Sequence, residues 1–208
     1  LVTQLKQDSE TRAASIDYFF SERRDDVVNL ALSREISSFF ENKALGMSME
    51  YGLNLSLIPI RDLFIHLMER KQVGKDKIYS RIVLIERDGS TLVDVSGEDQ
   101  PVSGAKKWKP LLIPERNNGF ITTSHDRKEF LASVSYYHKD QYAGQIIAWI
   151  RPEIVDKHLL REKAPGTRLM LLVAQEGDHF LSIGVAPSSL PLNLPGLQSL
   201  AAGEIKKF

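Results

Sequence analysis

Three lysines, Lys106, Lys107 and Lys109, surround Trp108 in one short stretch. Ammonium groups only donate hydrogen bonds and carboxylates only accept them, so this grouping beside one aromatic surface suits a small carboxylate better than a cation. The alternative is that the lysines are solvated on a surface loop while Trp108 packs on the helix below. Arg81 and Arg127 each precede a strand and can clamp an anion or make a surface ion pair. Tyr136 and Tyr137 point to opposite faces of one strand. Tyr136 is the one beside Phe130, Ala132 and Val134, where its hydroxyl can reach a ligand or its ring can fill the core. Trp149 can fill the pocket from the opposite strand. The candidate ligand-binding set is therefore Trp108, Lys106, Lys107, Tyr136, Arg127 and Trp149.

Catalytic chemistry is harder to find. The five histidines, His66, His125, His138, His158 and His179, show no two-ligand spacing on a single element. Ser124, His125 and Asp126 are adjacent and cannot converge as nucleophile, base and orienter. There is no Gly-rich phosphate loop, no GxSxG and no kinase catalytic set. Glu86 and Asp88 form an acidic turn and not a spaced acid–base pair. The chain has no cysteine, which excludes disulfides, thiol nucleophiles and thiolate zinc sites. No catalytic residue, metal site or cofactor is expected. Lys plus Arg number 27, as do Asp plus Glu, so no net field gathers nucleic acid or an anionic membrane. No apolar run reaches about 18 residues and residue 1 begins in a charged amphipathic stretch. Any membrane contact is expected only through flanking segments.

Positioning these residues requires a scaffold, and the chain supplies helices first. The first glycine is Gly46 and the first proline Pro59, so residues 1–45 contain neither helix breaker. One long helix is predicted there. Val28, Leu32, Ile36, Phe39 and Phe40 form its apolar stripe, continued backward by Phe20, Phe19 and Ile16. At ~1.5 Å per residue such a helix outreaches a compact domain, so part of it must protrude or pair. Residues 5–14 are expected outside the globule. Gly46 is placed to cap the helix, and Pro59 to open a second one over residues 60–70 with Leu63, Phe64, Leu67 and Met68 inward and Gly74 closing it.

Beyond Gly74 the period changes from about 3.6 to 2. Residues 82–85 and 91–95 flank the turn Arg87-Asp88-Gly89-Ser90, a tight hairpin. Residues 97–118 form a polar loop containing Pro101, Gly104, Pro110 and Pro114. A short strand over 119–123 follows, then a longer hairpin of residues 130–137 and 142–151. The expected fold is α+β: a five-stranded antiparallel sheet with helices on one face.

The stretch from Arg81 to Val95 aligns without gaps on Leu169 to Ile183, with Gly177 falling 88 residues after Gly89. Apolar positions and the acid-Gly turn coincide, which predicts the start, or a reduced copy, of a second sheet module. Two unrelated hairpins are the alternative. The expected division is 1–74 for the helices, 75–160 for the ligand-binding module and 161–208 for the partial second one.

This order of elements resembles the double Cache sensor family. The likeness is carried by Ile82-Val83-Leu84-Ile85-Glu86-Arg87-Asp88-Gly89, by Trp108 in the loop, and by Tyr142-Ala143-Gly144-Gln145-Ile146-Ile147 in the closing strand. It covers about the first 185 residues. The resemblance implies two PAS-like modules stacked along the long helix outside the cytoplasmic membrane, the distal one holding a small molecule between sheet and loop. It further implies flanking membrane spans leading to a histidine kinase, a chemoreceptor tail or a cyclic-dinucleotide enzyme. In the amino-acid-binding branch the loop reads Arg, any residue, Trp, aromatic, and the closing strand supplies an Asp. Here Lys106 stands at the Arg position, Trp108 matches, Lys109 replaces the aromatic and Trp149 falls at the Asp. That pattern suits a small carboxylate and not a zwitterion. A homodimer through residues 10–40 is expected. Other readings are a ligand-free spacing and dimerisation module, and a cytoplasmic PAS-type sensor with a buried cofactor.

Overall fold

A computed structural model describes residues 2–97, 111–115, 118–124, 129–160, 172–176 and 179–183. The breaker-free N-terminus is helical as expected, but it is jointed. Helix α1 spans Val2–Ala31 and α2 spans Arg34–Ala44. Between them Ser33 adopts an extended conformation, φ −67° and ψ 148°. The joint rephases the apolar stripe. Val27 and Leu30 are buried before it and Ile36, Phe39 and Phe40 after it, while Leu32, expected inward, is 78% exposed. Gly46, at φ +90°, ends α2 in a Schellman motif: Met47 N–H donates to Asn42 C=O and Gly46 N–H to Lys43 C=O.

A single 3-10 turn, Leu53–Ser56, leads into α3, Leu57–Arg70, with Pro59 in its first turn. Ile60, Phe64 and Met68 are its buried positions, and Leu63 and Leu67 are only half-buried. Gly74 does not close this helix. It turns a small hairpin of β1, Gln72–Val73, and β2, Asp76–Lys77, which the sequence reading missed.

The main sheet contains β3 (Tyr79–Glu86), β4 (Thr91–Ser96), β5 (Phe120–Ser124), β6 (Glu129–His138) and β7 (Gln141–Ile150). All pairings are antiparallel, in the order β4-β3-β7-β6-β5. The five-stranded α+β fold predicted from the sequence is therefore present. Registers Leu84↔Ile146 and Val134↔Ile146 place Ile82, Leu84, Ala132, Val134, Ile146 and Ala148 on one face. The helices cover that face, with Phe20 against Phe130 (4.8 Å between ring centroids) and Phe40 stacked on Tyr136 (4.7 Å). Alternate residues Val83, Ile85, Leu131, Ile147 and Trp149 form a second buried cluster on the opposite face. Gly144 is required where β7 crosses β3, because a Cβ there would stand 2.2 Å from the Ile85 carbonyl oxygen.

The contacts divide the chain into two units, Phe20–Arg151 and Leu1–Phe19 with Pro152–Phe208. In the second unit a short helix, α4 (Pro152–Val155), continues into a π-helical turn, Asp156–Leu160, and Arg12 donates to the Leu160 carbonyl at 3.2 Å. Strands β8 (Leu172–Glu176) and β9 (His179–Ile183) form a hairpin at the position the internal echo predicts. Among the described residues no helix is long and apolar enough to cross a membrane.

Candidate functional site

The strand period of two sends two sets of polar side chains to the face away from the helices. From β6 come Ser133 and Ser135, from β7 Gln145 beside Trp149, from β3 Arg81 and from β4 Asp94. Gln145 is wholly buried. Its amide nitrogen donates to the Leu111 carbonyl at 2.8 Å and to Ser133 Oγ at 2.7 Å, and its oxygen accepts from Ile113 N–H at 2.7 Å. Both amide protons and the carbonyl are thus engaged.

These bonds stitch the end of the long polar loop across the sheet. Ser135 donates to the Ile113 carbonyl and Tyr137 to the Pro114 carbonyl. Leu111 and Leu112 then pack against Val83, Ile85, Leu131, Ile147 and Trp149. Beside this seam the Arg81 guanidinium lies 5.7 Å from the Trp149 ring centroid and makes a two-pronged pair with Asp94, Nε to Oδ1 at 2.9 Å. The Tyr142 hydroxyl contacts Gln145 Oε1 at 3.4 Å, and burial, with Tyr137 nearby, pushes its pKa up to about 12. It stays a neutral hydrogen-bonding group throughout the physiological range.

Of the residues expected at the site, Trp149 lies on this face. Tyr136 does not: its register opposite Gly144 turns it to the helix face, where it stacks on Phe40. Burial and then the Glu41 charge raise its hydroxyl pKa. One cleft on one face cannot present both Tyr136 and Trp149. Trp108, Lys106, Lys107 and Arg127 lie outside the described residues. The sequence reading missed Gln145, Ser133 and Ser135. A signal existed, since all three interrupt otherwise apolar strands on one alternation.

The helix face carries its own polar centre. Asp26 on α1, 6% exposed, accepts a hydrogen bond from the Tyr79 hydroxyl of β3 at 2.6 Å and forms ion pairs with Lys71 Nζ at 2.6 Å and Arg23 Nε at 3.1 Å. Burial first, then the Asp26 charge, raises the Tyr79 pKa well above 10.0. A second ion pair, Lys43 to Glu86, joins α2 to the end of β3. Among the described residues no three His, Cys, Asp or Glu side chains group as a metal site. The face away from the helices thus joins an internally satisfied Gln145 network, one aromatic surface and a guanidinium paired with Asp94.

No protein-family model, curated protein or solved structure matches this chain.

Proposed function

We propose that this chain is the ligand-sensing region of a membrane-bound signal transducer. In this reading it is a double Cache, PAS-like sensor held outside the cytoplasmic membrane by flanking spans, with a histidine kinase as output. It binds a small carboxylate on the loop-covered face and performs no catalysis itself. The observation that carries the reading is the two-sided use of β3. Tyr79 is bonded to Asp26 of the long helix, and two residues on, Arg81 lies over Trp149 on the opposite face. A ligand that displaces Arg81 or the Gln145-bound loop moves the strand that is fastened to α1, and differential affinity for the shifted state is all that signalling requires.

A thermal-shift screen of the chain against small carboxylates, amines and amino acids tests this. A ligand at 100 times its dissociation constant adds about 2.7 kcal/mol to native stability. A carboxylate is expected to raise Tm, and Trp108→Ala with Lys106→Ala to abolish the shift. Absence of any carboxylate response, or one unchanged in that double variant, refutes the site. The packing of Leu111 and Leu112 on the loop face favours one second reading, a ligand-free spacer. It requires that no compound of any class shifts Tm.

A further inference from the structure

The connection between α2 and α3 departs from the rest of the chain in composition. Across residues 45–60, Glu50 is the one charged residue, in a protein where 26% of residues are charged. Its apolar side chains are not hidden. Leu45 is 86% exposed and Tyr51 81%, and Met47, Met49, Leu55 and Ile58 are exposed as well. The segment folds on itself through Tyr51 N–H to Ser48 C=O, Leu53 N–H to Ser48 C=O and Leu55 N–H to Gly52 C=O, with Leu53 as the buried anchor. These side chains therefore belong to one locally bonded connection between α2 and α3.

We propose that residues 45–58 are the contact surface between two copies of this chain. The composition fits an interface core, which is depleted in charge and enriched in Tyr and Met. The absence of Lys and Arg in 45–60 excludes recognition of an acidic partner, nucleic acid or anionic lipid through this patch. The size also fits. At their observed exposures the six residues together offer on the order of 700 Å², near the ~800 Å² each partner buries in a standard interface. The helix does not supply an equal surface within this unit, because Val27, Leu30, Ile36, Phe39 and Phe40 of its stripe are already buried. A two-fold contact places each residue of the patch close to the same patch on its partner.

The test is sedimentation equilibrium of the whole chain from micromolar to several hundred micromolar, alone and as Tyr51→Glu with Leu55→Glu. The expected mass moves from 23.5 kDa toward twice that value as concentration rises, and the double variant weakens association at least tenfold. Leu32→Glu, equally exposed but outside the patch, leaves it unchanged. Because the chain has no cysteine, Tyr51→Cys and Leu55→Cys report independently. Oxidation is expected to link one or both into disulfide dimers and to leave Leu32→Cys monomeric, even where the glutamate variants fold poorly. A chain that stays monomeric throughout overturns the proposal. So does a dimer indifferent to both substitutions and not linked through Tyr51 or Leu55, or recruitment to zwitterionic phosphatidylcholine vesicles without self-association.

Discussion

Removing Asp26 should cost far more than removing any one of its partners, and the geometry sets the order. Its carboxylate accepts from the Tyr79 hydroxyl and pairs with two cations, and these three partners differ in access to water. Arg23 is 5% exposed and Tyr79 fully buried, so Asp26→Ala strands a buried hydroxyl and takes one carboxylate partner from a buried cation that also meets Glu22 at 3.4 Å. Breaking a buried pair by deleting one member costs about 3–5 kcal/mol. Tyr79→Phe deletes one hydrogen bond to a charged group but leaves Asp26 with both cations, which is worth about 1.5–3 kcal/mol. The Lys71 side chain is 33% exposed and can turn to solvent, so Lys71→Met should cost less than about 1 kcal/mol. Urea unfolding at neutral pH, followed by tryptophan fluorescence, measures all three. The double variant Asp26→Ala with Tyr79→Phe should show coupling of about 0.5–3 kcal/mol, since the residues share one contact. A Lys71→Met loss equal to that of Asp26→Ala, or an Asp26→Ala loss under about 1 kcal/mol, refutes the idea that this node fastens the helix to the sheet.

Three further outcomes are expected. Gly144→Ala drives a Cβ into the Ile85 carbonyl oxygen and should lose about 3 kcal/mol or more, whereas Gly97→Ala, whose nearest neighbour would be 3.6 Å away, should be near neutral by the same denaturation assay. The raised pKa of Tyr79 means the folded state holds that proton more tightly than the unfolded one, so its contribution is complete below pH 10.0 and fades as pH climbs above it. The stability gap between wild type and Tyr79→Phe should therefore be constant up to pH 10 and narrow beyond it. The β6–β7 hairpin turns through Lys139 and Asp140 at φ 48° and 61°, a type I′ geometry that favours Asn-Gly. Lys139→Asn with Asp140→Gly should raise stability by about 1 kcal/mol, visible as a higher Tm.

The fold was readable where its cause was local. Alternation along residues 79–96 and 129–150 marks strands because each side chain's face is fixed by its own position, and Gly46 marks a helix end because only a positive φ completes that cap. The joint at Leu32 and Ser33 carries no such mark. Nothing at these positions forbids a continuous helix. The break is won by packing, since it lets Val27 and Leu30 on one side and Ile36 and Phe39 on the other all reach cover. Gly74 misleads for a related reason, as the same residue type stops a helix or turns a hairpin and the strands β1 and β2 are only two residues each.

The same distinction explains the polar sites. Gln145 was within reach of sequence reasoning, because an amide inside the buried run 144–150 must find partners or cost stability, and Ser133 and Ser135 lie on the matching alternation of β6. Asp26 was not. In Glu22-Arg23-Arg24-Asp25-Asp26 the charges read as one solvated face, yet Arg23 and Asp26 are buried while Arg24 and Asp25 are exposed. Spacing of three on the helix says that Arg23 and Asp26 share a face. What makes burial tolerable comes from Lys71 and Tyr79, far along the chain, and neither residue type announces it. A helical charge run therefore carries a structural node whenever a distant hydroxyl and a distant cation arrive together, and the pairing of Tyr79 with Asp26 is what fastens the helix to the sheet at this point.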